Sequence, residues 1–214
     1  NSYYAKGDYG KDLEVNSKLP LIYYGGNSKE GLNFLEKYGI SEDVMYNLPE
    51  PMKVSGNKSK FYKMFNDCDF ICKTVYKKED AKGLQFPIIA KPDDGHSGVG
   101  IEIFDNYEDL EKSKGDFANY SEAKDLDQEF RVLLMNETPV LVHERISIRD
   151  NEIRDKESDE QTQFTYVDQD MSKLDFMDKV SKICKTIREK LKLGLWSIDL
   201  MIDKSGKCWV AEIN

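Results

Sequence analysis

Residues 196–214, "WSIDLMIDKSGKCWVAEIN", decide how this chain is read. Two apolar runs flank "DKSG" at Asp203–Gly206, a pattern that predicts a hairpin closed by a tight turn. Along the first strand Trp196, Ile198, Leu200 and Ile202 share one face, and Ser197, Asp199 and Met201 share the other. Along the second, Trp209, Ala211 and Ile213 share one face, and Cys208, Val210, Glu212 and Asn214 the other. With the turn at Asp203–Gly206, residue 202 pairs with 207, and directly opposed residues lie on the same side of a hairpin. Asp199, Glu212 and Asn214 then fall on one face, with the bulky apolar set behind them. Two carboxylates and an amide oxygen make a hard-oxygen site, suited to Mg²⁺ held jointly with phosphates. The plainer alternative is the solvated polar face of an amphipathic hairpin. The Glu-x-Asn pair on the second strand favours the metal.

A second stretch points the same way. "FPIIAKPDDGHSGVGIEIF", Phe86–Phe104, reads as strand, small-residue loop, strand. Gly95, Ser97, Gly98 and Gly100 let backbone N–H groups approach an anion closely, and Lys91 supplies a point charge at the base of the loop. This is not a Walker loop, because no Gly-Lys-Ser/Thr follows. Nor is it a dinucleotide fingerprint, because the loop leads into a strand and not a helix. A glycine loop between two strands is a flap laid over phosphates. A plain hairpin with glycine turns and an edge lysine is the competing reading.

Composition narrows the classes. The chain has 214 residues, 39% of them hydrophobic, and a net charge of −9. The charge argues against a general nucleic-acid binder, which carries a basic stripe. No apolar run approaches a membrane span, and the first residues, "NSYYAKGDYGKDLEV", resemble no signal peptide. Cys68, Cys72, Cys184 and Cys208 lack zinc-type pairing and read as reduced thiols of a cytoplasmic protein.

The remaining segments mix strands and helices without βαβ alternation, which predicts α+β layers. "PLIYYGG" reads as a strand, and 27–39 as a helix capped by Asn27 and stopped by Gly39. "GNKSKFYKMFND" reads as a second, basic helix. Strands are expected at "FICKTVY", "FPIIAKP", "EFRVLLM" and "VLVHERISI", and a helix at Asn106–Ser113. A charged loop, Arg149–Gln161, precedes a helix over about 173–193. That helix carries a stripe of Met177, Val180, Cys184, Ile187 and Leu191 and ends at Gly194.

Together these residues resemble the ATP-grasp superfamily. Its pattern is a lysine before a glycine-rich flap, a hinge glutamate, a ribose carboxylate, and a last hairpin carrying Asp on one strand and Glu-x-Asn on the next. "IIAKPDDGHSGVGI" is similar to the lysine and flap, and "SIDLMIDKSGKCWVAEIN" to the metal hairpin. The resemblance covers 57–214. It implies two α+β subdomains clasping a nucleotide, at 57–118 and 119–214, preceded by a partial leading region at 1–56. It further implies that Lys58, with Lys60 as the second choice, and Lys91, with Gly95, His96, Ser97, Gly98 and Gly100, meet the ATP phosphates. In "NYSEAKDLDQEFRV" it implies that Glu122 accepts from the adenine amino group, that backbone near Lys124 and Asp125 reads the ring, and that Glu129 binds the ribose. Asp199, Glu212 and Asn214 are the implied ligands of two Mg²⁺, with Mn²⁺ able to substitute. Arg145 is implied to contact the terminal phosphate and the incoming carboxylate, as a guanidinium suits both. Arg131 is open to a cross-strand pair with Glu144.

The chemistry implied is that of a ligase. A carboxylate attacks the γ-phosphate, ADP leaves, and an amine or thiol attacks the acylphosphate. The partners are then small-molecule or peptide carboxylates and amines, with neither nucleic acid nor membrane. A kinase-like phosphotransferase and an inactive nucleotide-binding module are the alternatives on the same fold.

Overall fold

The computed structural model describes residues 47–93, 99–147, 162–166 and 174–214, with isolated positions at 33, 36, 37 and 39. Gly39, expected as a helix stop, has φ +57° and donates its N–H to the Glu36 carbonyl, as a glycine stop does. The expected strand "PLIYYGG", the Asn27 cap and the loop Arg149–Gln161 lie outside the described residues.

The chain has an α+β architecture built on two antiparallel sheets. Helices α1 (Pro49–Ser55) and α2 (Lys58–Met64) come first. Asn57 caps α2 by accepting from the Lys60 N–H. A four-stranded sheet follows, built from β1 (Thr74–Val75), β2 (Ile88–Lys91), β3 (Glu102–Phe104) and β4 (Asn119–Glu122), in the order β1-β4-β2-β3. Helix α3 (Tyr107–Lys112), capped by Asn106, packs with Ala81, Leu84, Ile88, Ala90 and Phe104 into a small core beneath this sheet.

The chain crosses to the second sheet between Glu122 and Leu126, because β4 pairs with β1 and β2 and so belongs to the first. The second sheet takes β5 (Leu126–Met135), β6 (Thr138–Ser147), β7 (Thr162–Tyr166), β8 (Leu195–Asp203) and β9 (Cys208–Ile213), in the order β7-β6-β5-β8-β9. Helix α4 (Met177–Leu191) covers one face of it. Val180, Ile183, Cys184, Ile187 and Leu191 of α4 are buried against Val132, Leu134, Val142, Ile198 and Leu200. Phe61 and Tyr62 of α2 and Phe65 just after it join the same core. Burying a set of this size is the main source of stability, at about 1.5–3 kcal/mol for each large side chain.

Three local expectations need correcting. Only Thr74–Val75 of "FICKTVY" forms a strand, while Phe70 and Ile71 turn into the main core. The polar run "NYSE" forms β4, whose Asn119, Tyr120 and Ser121 are all buried. Helix α4 ends on Lys192, which takes the left-handed φ of +50° and bonds to the Arg188 carbonyl, so the stop precedes Gly194.

Gly194 is instead held by a side chain from far away. Asn47 is fully buried, and its Oδ1 accepts from the Gly194 and Leu195 N–H groups at 2.7 and 3.0 Å. Its Nδ2 donates to the Leu195 carbonyl at 2.7 Å. Asn47→Ala strands these backbone groups away from water, and the expected loss is about 2–4 kcal/mol in urea unfolding. An unchanged midpoint would show that water replaces the amide without cost.

Candidate active site

Position on a strand sets which face a side chain occupies, and the second sheet sorts its residues sharply. Opposed pairs across β6, β5, β8 and β9 are His143 with Arg131, Arg131 with Asp199, and Asp199 with Glu212, while Glu129 stands opposite Met201 and Arg145 lies two residues beyond His143 on its strand. Opposed residues share a face. Glu129, Arg131, Arg145, Asp199 and Glu212 therefore all stand on the face opposite α4. Asn214 exchanges backbone hydrogen bonds with Ser197, two residues before Asp199, which puts it on that face too.

The hairpin register differs from expectation. Ile202 pairs with Cys208, one residue later than predicted. An unbroken ladder from there would set Asp199 opposite Ala211 and turn Glu212 into the core. A β-bulge at Ala211 prevents this, because Leu200 pairs with Val210 and Asp199 with Glu212. Cys208 and Val210 consequently belong to the core with Ile213, while Trp209, opposite Met201, lies on the site face. Asp199 and Glu212 meet as expected, but by a different route.

Each carboxylate is matched by a cation. Arg131 holds Asp199 in a bidentate pair, Nε and a terminal nitrogen both at 2.7 Å. The alternative pair with Glu144 does not form, since Glu144 stands opposite Phe130 and accepts from Gln128 at 3.4 Å. Lys58 approaches Glu212 Oε2 at 3.4 Å. Arg145 lies 3.6 Å from Glu129, which pairs a proposed catalytic residue with a proposed ribose residue.

Lys91 reaches the same region from the first sheet. Opposed to Asn119 at the end of β2, it donates to the Tyr62 hydroxyl at 3.1 Å. Burial alone lowers a lysine pKa. Here the Tyr62 hydroxyl, with Cys72 and Glu212 nearby, outweighs burial and holds Lys91 above the ordinary value. Lys91 therefore stays charged at neutral pH. Its loop neighbour Asp93 accepts from the Ser59 N–H at 3.2 Å. Gly100, at φ +77°, resumes the chain toward β3, and Pro92 would crowd a Cβ there at 3.1 Å. Gly95, His96, Ser97 and Gly98 lie outside the described residues.

The segment expected as the hinge sits at the other end of the cleft. Glu122 accepts from the Gln85 N–H and from Lys124 Nζ, both at 3.1 Å. Burial acts to raise its pKa, but those two donors prevail and hold it below the usual range. Asp125 faces the tip of the β8–β9 hairpin. Its carbonyl accepts from the Lys204 N–H at 3.1 Å and its carboxylate pairs with Lys204 Nζ at 2.9 Å. Lys124 lies 4.8 Å from the Trp209 ring centroid, and Lys207 lies 4.0 Å from the same ring. Between hinge and Lys91 the cleft is lined by Tyr62, Ile89, Ser121, Leu126 and Met201. It holds about 50 Å³, room for a few waters and too little for a purine.

Sequence reasoning did not single out Tyr62 or the stacked Trp209. A signal for Tyr62 was present, since it follows Lys58 by four residues and so lies on the same helical face. Among the described residues no group of three or more His, Cys, Asp or Glu could hold a metal. The candidate set is two opposed carboxylates plus an amide, and its donor chemistry fits a hard divalent cation. Arg131 and Lys58 balance the carboxylates that such an ion would otherwise neutralise. No helix among the described residues is long and apolar enough to cross a membrane.

No protein-family model matches the chain, and no curated protein matches it in sequence. Solved structures do match in shape. D-alanine–D-alanine ligase from Bacillus anthracis aligns with TM-score 0.64 at 17% identity over 89% of this chain and 66% of its own. N5-carboxyaminoimidazole ribonucleotide synthetase from Thermotoga maritima aligns with TM-score 0.59 at 18% identity over 86% of this chain and 47% of its own. The ATP-grasp ligase PsnB, solved with a minimal precursor, gives 0.59 at 14% identity over 86% of this chain and 61% of its own. The chain thus spans between about half and two thirds of the length of the structures it resembles.

Proposed function

We propose, with the ATP-grasp fold of this chain as the premise, that it binds ATP with magnesium between its two sheets and ligates a carboxylate to an amine. The observation that carries this reading is convergence. Lys58 and Lys91 come from one side of the cleft, and Asp199, Glu212 and Asn214 share the sheet face on the other. The likeness to ligase structures supports the reaction class.

In this reading residues 57–214 form the nucleotide-binding unit. Lys58 and Lys91 neutralise phosphate oxygens, and Arg145 orients the terminal phosphate and the attacking carboxylate bidentately. Asp199, Glu212 and Asn214 hold the magnesium, which would supply charge stabilisation for phosphoryl transfer. The substrate carboxylate oxygen attacks the γ-phosphorus, the bond to the bridging oxygen breaks, and ADP leaves. The amine nitrogen then attacks the acyl carbon and expels phosphate. The protein's part is positioning and charge matching, so no nucleophilic side chain is required. Glu129 meets the ribose after parting from Arg145, and Glu122 fixes the hinge for the adenine. A purine does not fit the cleft as it stands, so binding widens it.

Isothermal titration with a non-hydrolysable ATP analogue and magnesium tests the first half of the proposal, and saturable binding is expected. No binding by the folded chain would end the reading. ADP release screened against pools of carboxylates and amines tests the second half. Release that needs both a carboxylate and an amine is the expected result. Release with a single acceptor and a stable phosphorylated product would identify a phosphotransferase instead.

A further inference from the structure

The buried tyrosine between the two sheets belongs to no role assigned so far. Tyr62 is 3% exposed, yet its hydroxyl touches both halves of the proposed site. It accepts from Lys91 Nζ at 3.1 Å. It donates to the carbonyl of Ala211, the bulged residue that precedes Glu212. The Lys91 ammonium also lies 5.3 Å from the centre of the Tyr62 ring. One turn earlier on the same helix, Lys58 reaches Glu212 itself.

We infer that Tyr62 is a positioning residue, which sets the Lys91 ammonium and the Ala211 bulge in one fixed relation so that phosphate and metal ligands act together. The inference rests on the ATP reading above. Its physical basis is the inventory of a phenol. One hydroxyl donates once and accepts once, and here each capacity is used on a different sheet. A lysine has four rotatable carbons and loses much side-chain entropy on being ordered. Fixing its ammonium before the nucleotide arrives removes that cost from binding. A bulge likewise interrupts the ladder that would otherwise hold its carbonyl. Phenylalanine at this position fills the same core volume beside Phe61, 5.8 Å away between ring centres, but makes neither bond.

The test is a double-mutant cycle on the full chain, reading affinity for the same analogue with magnesium. The four proteins are the parent, Tyr62→Phe, Lys91→Met and the double variant. Tyr62→Phe is expected to weaken binding about tenfold in the parent and less than about twofold in the Lys91→Met background, because residues acting as one unit are not additive. Thermal melts run alongside, and a general loss of packing would weaken both backgrounds by the same factor. Equal factors, or no effect of Tyr62→Phe in the parent, overturn the inference. Should Tyr62→Phe fail to fold, Tyr62→Met, which likewise makes neither bond, enters the same cycle with the same two outcomes. A parent chain that does not bind the analogue overturns the ATP reading itself, and this inference with it. That failure is distinct because it precedes any substitution.

Discussion

Asp199→Asn gives a folded protein that releases ADP about 10²–10³-fold more slowly, the scale on which losing one preorganised electrostatic contact slows a reaction. The substitution keeps size and shape and removes one charge. Asp199 stands directly opposite Glu212, so in the proposed site the two would share the cation. The lost charge matters most where new charge develops, so the effect appears in turnover more than in ground-state binding. Crowded carboxylates repel, and removing one charge would then stabilise the chain. In the structure Arg131 binds Asp199 with two bonds of 2.7 Å and Lys58 stands by Glu212, so no repulsion is left to relieve. The Arg131 side chain is 39% exposed, and water takes over when its partner weakens. The expected cost is about 1 kcal/mol or less. ADP release at saturating magnesium and a melt without nucleotide measure both quantities. A variant with a normal melt and the parent rate would remove Asp199 from the proposed metal site.

Lys91→Met lowers affinity for the ATP analogue by about 10–100-fold, the range for losing a charge-assisted hydrogen bond to an anion. Methionine keeps the apolar stem, and the ammonium it removes is one whose burial is more than offset by the Tyr62 hydroxyl, Cys72 and Glu212. Tyr62 loses a donor but still gives its proton to Ala211. The melt is therefore expected to stay within a few degrees of the parent, which separates loss of function from loss of fold. Titration calorimetry reads the first and calorimetric melting the second. An unchanged affinity would mean that the cation at the end of β2 does not meet phosphate.

Much of this was legible in the amino-acid order, for physical reasons. The period-2 alternation of β8 and the 3.6-period stripe of α4 follow from a sheet and a helix each burying one face, whereas the bulge at Ala211 breaks the alternation expected of β9. The helices at "GNKSKFYKMFND" and Asn106–Ser113 were legible too, and Asn57 and Asn106 cap them, a role expected only of Asn27. What stayed hidden depends on partners distant in the chain. The run "NYSE" gives no apolar signal. It forms β4 with Thr74 Oγ1 meeting Ser121 Oγ at 2.8 Å and Asn119 Nδ2 donating to Ser59 Oγ at 3.2 Å, which satisfies these groups inside while Asn119 Oδ1 has no partner among the described residues. Lys192 in the left-handed region is likewise unreadable locally, since a non-glycine residue accepts that conformation only when its surroundings hold it there. Within the site, the candidate carboxylates were found by their spacing. The guanidinium that claims Asp199 was not, because choosing between Glu144 and Asp199 requires the order of the strands.

The extra residue at Ala211 gives the last strand a parity. Up to Val210 the outward positions carry odd numbers, and from Glu212 they carry even ones. The chemistry of this strand therefore depends on a count as well as on identities. Losing one residue between Trp209 and Glu212 would remove the bulge and keep "Glu-x-Asn" outward on an unbroken ladder, whereas adding one beside an intact bulge would leave every acidic side chain in the chain and still turn the motif inward, exchanging it with Ile213. A descendant of this chain could keep its motif letter for letter and lose the site, and one with altered neighbours but the same count could keep it. Comparisons along this strand are thus to be aligned on the bulge first and on the letters second.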